Sequence, residues 1–246
     1  GKNKIIKFEG QYHGWADEEK ITISASSVEE LGDRENPNRI LHTRGMRPDS
    51  AQWLYIAPWN DLDYLEKLMK EHCHEIAAVI TEPVMCDSGP ILPRPGFLEG
   101  LRELTLKYGI LLIFDEVITG FRVALGGAQE YYHVTPDLST FAKAVTAGYP
   151  FGVIAGKKEI MDGGVPSSGT FNGNPVGVAA ALATIQELKN PGTYRHLEEI
   201  GNALADGFQK LAVKYGIPIY TRAVGGIFIL YFGFEEDVLD YREWLE

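Results

Sequence analysis

Cysteine is scarce in this sequence: 246 residues hold only Cys73 and Cys86. Two thiols cannot make a disulfide framework, and with no secretory segment in the opening Gly1-Lys2-Asn3-Lys4 they point to a reducing, cytoplasmic setting. Long apolar runs are missing as well. Nothing approaches the roughly 20 consecutive apolar residues of a membrane-spanning helix, so no membrane partner is expected. Positive charge is in deficit, with 23 Lys and Arg against 34 Asp and Glu and a formal net charge of -11. Such a chain is poorly suited to nucleic acid or an anionic membrane surface, and any phosphate it binds must be held by local donors. No Gly-x-Gly-x-x-Gly follows the first strand pattern, which argues against a dinucleotide-binding oxidoreductase. Internal repeats, low-complexity tracts and blocks of like charge are also absent.

What is present is a globular composition, 45% hydrophobic, in a chain long enough for one large α/β domain and part of another. The chain is organised around Ile110-Leu111-Leu112-Ile113-Phe114-Asp115-Glu116-Val117, an unbroken apolar run that stops on two carboxylates. A run of this kind predicts a strand buried on both faces of a helix-covered parallel sheet. Open α/β folds place ligands at the carboxyl ends of such strands. Asp115 buried there as an anion would cost several kcal/mol without a cationic or hydrogen-bonding partner. Farther on, Thr140-Phe141-Ala142-Lys143-Ala144-Val145 sets one lysine among small and apolar neighbours. A desolvated lysine is an amine able to form a Schiff base. An aspartate at a strand end and a later buried lysine are the pair that a pyridoxal phosphate (PLP) enzyme requires, one for the ring nitrogen and one for the aldehyde. Taken singly, each has a plainer reading: a helix cap or ion pair for Asp115, and a solvated surface cation for Lys143.

Around this centre the pattern alternates strands and helices. Residues 4–8 read as a strand delivering Glu9-Gly10-Gln11-Tyr12-His13-Gly14-Trp15, and 21–25 as another. Residues 26–50, polar and broken by Pro37 and Pro48, read as a surface excursion. Strands are expected over 52–56 and 75–82, the latter ending on Thr81-Glu82-Pro83, with a helix over 62–71 capped by Asn60-Asp61. The run Glu71-His72-Cys73-His74-Glu75 invites a metal reading, but His72 and His74 diverge on a helix and no second ligand cluster is evident, so no metal is expected. A helix from Phe97 carries apolar residues at helical spacing and stops at Gly109. Glu116 and Arg122 are expected to pair structurally. After a strand over 151–155 and a short helix over 157–161, residues 163–174 are crowded with Gly, Ser, Thr and Asn suited to a phosphate. A small-residue helix over 176–188 leads to Asn190-Pro191-Gly192, the expected boundary between domains 1–190 and 191–246. The second opens with a helix over 194–215 and strands over 217–221 and 226–232.

Three segments carry a family resemblance: Phe114-Asp115-Glu116-Val117-Ile118-Thr119-Gly120-Phe121-Arg122, Thr140-Phe141-Ala142-Lys143, and Ser168-Gly169-Thr170-Phe171-Asn172-Gly173-Asn174-Pro175. Together they resemble the class III aminotransferases of PLP fold type I, with particular likeness to the glutamate-1-semialdehyde 2,1-aminomutase branch. The resemblance runs from Lys7 to about Phe232 and implies a mostly parallel sheet sandwiched by helices, followed by the start of a small α+β domain. It implies that both family ends lie outside this chain, and the first residue is not methionine. It implies that Lys143 holds PLP as a Schiff base, that Asp115 pairs with the ring nitrogen, and that Tyr12 and Val117 sandwich the ring. His13 and Glu82 join them as cofactor-binding residues. Thr170 is implied to bind the PLP phosphate of a neighbouring subunit, making a homodimer with shared active sites. The substrate implied is a small amino acid or amine. Trp15 and the run from Met85 to Ser88 depart from the aminomutase wording, which favours an aminotransferase over the intramolecular aminomutase. A non-catalytic fragment of such an enzyme is the remaining alternative.

Overall fold

The computed structural model describes residues 1–163 and 168–246; residues 164–167 of the Gly- and Ser-rich stretch lie outside the described residues. In chain order the first elements are β1 (Lys4–Phe8), α1 (Val28–Leu31), β2 (Leu54–Ala57), α2 (Leu62–His72), β3 (Ile76–Thr81), α3 (Phe97–Tyr108) and β4 (Leu111–Asp115). There follow α4 (Gly127–Tyr131), β5 (Leu138–Phe141), β6 (Val153–Gly156), α5 (Lys158–Met161), α6 (Pro175–Leu188), α7 (Thr193–Tyr215), β7 (Ile219–Val224), β8 (Ile227–Phe232) and α8 (Tyr241–Leu245). The first six strands are ordered β2-β1-β3-β4-β5-β6, and β7 and β8 form a separate antiparallel pair. The chain divides into two compact units, Gly1–Ile113 with Asp237–Glu246, and Phe114–Glu236.

In the first unit β1 pairs in parallel with both β2 and β3. Its core is an aromatic trio in which the rings of Phe8, Trp59 and Phe97 meet edge to face, with centroids 5.1, 4.6 and 6.1 Å apart. Such contacts add directionality to apolar burial. The helices form where their ends are written into the sequence. The Asp61 carboxylate accepts from Tyr64 N–H to cap α2, and Gly109 takes the left-handed conformation (φ 61°) that stops α3. The strand expected over 21–25 does not form. Ile21 makes one isolated antiparallel bridge to Leu41, and Thr22 turns left-handed at φ 53°, which ends the ladder. The Thr22 hydroxyl donates to Asn38 O and accepts from Ile40 N–H instead.

Residues 237–246 fold back on the same unit. Arg242 donates from Nη2 and Nε to the two oxygens of Glu9 at 2.7 and 3.0 Å, both side chains being buried. The Tyr241 ring lies against Gly10 so closely that a Cβ there would sit 2.5 Å from it.

In the second unit the short strand β5, not evident from the sequence, pairs antiparallel with β6. The long helix α7 packs across β7 and β8, where Gly201 leaves room for Ala223. Tyr194 at the start of α7 donates its hydroxyl to Phe121 O at 3.1 Å, and Gly226 N–H donates to Arg122 O at 3.0 Å. The strand expected over 110–117 forms from 111 to 115, and its first residue, Leu111, is exposed rather than buried on both faces.

Candidate active site

In the first unit the order β2-β1-β3 makes a switch point at β1, and folds of this kind bind ligands beyond the carboxyl ends of such parallel strands. The loop that follows β1 carries Tyr12 and His13, both half-buried, and the loop that follows β3 begins with Glu82. Gln11 joins them: its buried Oε1 accepts from Glu82 N–H at 2.9 Å. Cys86 N–H in turn donates to Glu82 Oε2 at 3.2 Å, and the Ser88 hydroxyl donates to Gly10 O at 3.0 Å. Trp15 stands exposed beyond His13, with the Lys20 ammonium 3.8 Å above its ring. Gln11 was not singled out from the sequence, because nothing in an isolated glutamine marks it as a bridge between loops.

Neither was Lys7. It is fully buried, and its ammonium donates to Glu19 O at 2.9 Å and to Ile21 O at 2.7 Å. Burial lowers its pKa to about 8, against the opposing pull of Glu19, Glu82 and Asp87. Alternation along β1 was the available signal, since a lysine two residues from Ile5 and next to Phe8 in a central strand has little water to reach.

In the second unit Asp115 ends β4 and is 7% exposed. Its Oδ1 accepts from Val117 N–H at 3.1 Å and from the Thr140 hydroxyl at 3.3 Å. Glu116 N–H donates to Thr140 O at 2.9 Å, so the end of β4 is fastened beside the end of β5. Lys143 follows three residues after Thr140, at the start of a 3-10 turn over Lys143–Thr146, with a left-handed φ of 46°. This brings Asp115, Val117 and the Lys143 turn to neighbouring strand ends. The expected desolvation of Lys143 is not observed: the residue is exposed, and Val145 and Thr146 are the buried members of its turn. Its surroundings are apolar in sequence, but the turn directs those neighbours inward and the lysine outward. Thr170 stands exposed in a separate turn just ahead of α6, the helix that packs on the Lys143 turn.

The expected pairing of Glu116 with Arg122 is also overturned. Glu116, fully buried, accepts from the Thr119 hydroxyl at 3.0 Å, from Ala128 N–H at 2.5 Å and from Gln129 Nε2 at 2.9 Å. A carboxylate this close to backbone and amide donors has its lone pairs taken within its own loop. Chemically, the second unit offers a buried anion at one strand end and a solvent-reaching primary amine after the next. That set suits a ligand with one cationic and one carbonyl end.

Comparison with known proteins supplies the family and the fold. Residues 1–238 match the family model described as aminotransferase class-III. The glutamate-1-semialdehyde 2,1-aminomutase 2 of Brevibacillus brevis is 45% identical over 247 residues, an alignment covering 98% of this chain and 55% of that protein. Among solved structures, an omega-transaminase from Sphaerobacter thermophilus matches with a TM-score of 0.89 at 34% identity, over 99% of this chain and 56% of its own. A glutamate-1-semialdehyde aminomutase from Pseudomonas aeruginosa, in complex with PMP, matches with a TM-score of 0.82 at 25% identity, over 99% and 55%. The chain therefore spans about half the length of the curated relatives it matches. Its mostly parallel sheet and its small antiparallel pair are the arrangement of PLP fold type I. With the family match running through residue 238 of 246, the chain belongs to the class III aminotransferase family.

Proposed function

We propose that this chain carries the coenzyme site of a PLP-dependent aminotransferase acting on a small amino acid or amine. The observation that carries the reading is Asp115, buried at the end of β4 with its Oδ1 fixed by Val117 N–H and the Thr140 hydroxyl, beside the turn that presents Lys143. A buried carboxylate held by hydrogen bonds is suited to a protonated pyridine nitrogen, and an exposed primary amine to an aldehyde, so these residues fit the group.

Bound PLP supplies an electron-withdrawing ring that acidifies the substrate's α-carbon hydrogen. Asp115 holds a proton at the ring nitrogen. Lys143 would hold the coenzyme through Nζ and would serve as base and acid for the proton at the substrate's α-carbon. Tyr12 and Val117 would be the residues that hold the ring, and the β-branched side chain of Val117 is stiff enough for a platform. His13 and Glu82 would be further coenzyme-binding residues. Thr170 serves the phosphate of a second copy, in a homodimer with shared active sites. We place the coenzyme-binding domain at 1–190, the start of the small domain at 191–246, and the protein in the cytoplasm.

The 45% identity to an aminomutase favours a second reading, in which the amino group returns to the same molecule. A panel of amino donors and acceptors with product analysis separates the two, since only intermolecular transfer converts the acceptor. The primary test is titration of the chain with PLP, followed in the visible range. A band saturating near one equivalent and absent in Lys143→Ala is expected. Without a band in the unsubstituted chain, it is a folded but non-catalytic fragment; a band that persists in Lys143→Ala removes the lysine's role.

A further inference from the structure

We propose that Glu116 is a positioning residue for Asp115, acting through the turn that aims the Val117 N–H; this rests on the coenzyme site proposed above. Glu116 is fully buried, and its carboxylate collects donors from three places in the second unit. They are the Thr119 hydroxyl at 3.0 Å, Ala128 N–H at 2.5 Å, and Gln129 through its N–H at 3.4 Å and Nε2 at 2.9 Å. Gln129 Nε2 also donates to Ser139 Oγ at 2.9 Å, which extends the anchorage to β5. The backbone of Glu116 is held on both sides, its N–H donating to Thr140 O and its carbonyl accepting from Gly120 N–H, each at 2.9 Å.

Consider what this fixes. Oδ1 of Asp115 accepts from Val117 N–H, and that N–H direction is set by the peptide between residues 116 and 117. The clamp on Glu116 holds that peptide, and through it the plane of the Asp115 carboxylate. Space around the clamp is already used up: Gly127 is left-handed at φ 71°, and a Cβ there would lie 2.2 Å from Glu116 Oε2. Burial pushes the Glu116 carboxyl pKa up, while Ala128, Gln129 and Thr119 pull it back toward the anion. One backbone N–H, which can only donate, is aimed at each oxygen, that of Ala128 at Oε2 and that of Gln129 at Oε1, so the site is built for an acceptor on both. A glutamine in its place would turn one of them into an NH2 facing donors.

The experiment compares the unsubstituted chain with Glu116→Gln and with Gly127→Ala, which crowds the same carboxylate from the other side. Amide hydrogen exchange is read residue by residue without coenzyme, and coenzyme affinity is read separately by absorbance. Both variants are expected to accelerate exchange at Val117 by about tenfold or more, because a disturbed buried acceptor frees the turn, with Leu112 and Phe114 in the same strand unchanged. Coenzyme affinity should fall by a similar factor. Unchanged exchange at Val117, or equal acceleration along all of β4, overturns the proposal, the latter by reducing Glu116 to general stability. Failure of the coenzyme site itself is distinct: it appears as no visible band in the unsubstituted chain, and the exchange result stands independently of it.

Discussion

At the scale of single residues, Lys7 makes the sharpest departure from ordinary behaviour, because a lysine with no exposed surface keeps its charge only through two carbonyls and distant carboxylates. In the folded chain it releases its proton near pH 8, whereas unfolded it holds that proton to the ordinary lysine value of 10.5. Below pH 8 both states are protonated and folding carries the full penalty of the buried charge. Between about 8 and 10.5 the unfolded chain binds more proton, so stability contributed by this residue rises with pH. Lys7→Met lacks that term. The stability of the unsubstituted chain minus that of Lys7→Met, from urea denaturation across this window, should climb by on the order of 3 kcal/mol at most. A flat difference would mean that water reaches the amine. Lys143 is the opposite case. Its sequence neighbours are small and apolar, yet it faces outward, because which way a side chain points on a 3-10 turn depends on the backbone and not on its neighbours' chemistry.

At the scale of elements, those with local signals are legible in the sequence. β1, α2, α3, α6 and α7 form within a residue or two of their expected limits because apolar periodicity and end signals such as Asp61 and Gly109 act within a few residues. Elements that owe their existence to distant partners were not legible. β5 has four residues, two of them hydroxylic, and is a strand because β4 and β6 flank it. The same holds for site residues: Asp115 and Lys143 stand out in the sequence, while Gln11 and Thr140 gain their parts only from loops and strands brought beside them. α8 is the extreme example, a five-residue helix docked by a contact 233 positions away. Its carboxyl-capped start, Asp240, accepts from Arg242 N–H and Glu243 N–H, and also meets Arg34 Nη1 at 2.7 Å. Removing Arg242 leaves Glu9 as a buried, uncompensated anion, and Arg242→Met should cost about 3–5 kcal/mol in chemical denaturation. Arg242→Met combined with Glu9→Leu should recover most of that loss. If the double variant is as unstable as the single one, the pair's charge is not what docks the helix.

At the scale of the whole molecule, the second unit keeps several large apolar side chains in solvent. Phe171 is 81% exposed, Leu182 66%, Ile154 61% and Val176 54%. Ile154 lies on β6, the last strand in the sheet order, and an exposed apolar edge is a surface that folded proteins ordinarily cover or charge. Phe171 neighbours Thr170, the residue proposed to serve a second copy's phosphate, so the proposed homodimer is expected to cover these side chains as it brings Thr170 to the other copy. Each copy carries a formal charge of -11, and like charges oppose association over roughly a Debye length. Dimerisation should therefore strengthen as salt is raised from low to physiological concentration, contrary to an interface made by ion pairs. Sedimentation equilibrium should give a dimer mass for the unsubstituted chain and a monomer for the Ile154→Glu and Leu182→Glu double variant. The variant should also lose coenzyme affinity, and because Ile154 is the ladder partner of Thr140 and Leu182 lies on the helix packed on the Lys143 turn, the loss should track the monomer fraction as protein concentration is varied. A double variant that remains dimeric would put the interface elsewhere on the molecule, and a monomer with unchanged affinity would show that one copy holds its coenzyme without the Thr170 of another.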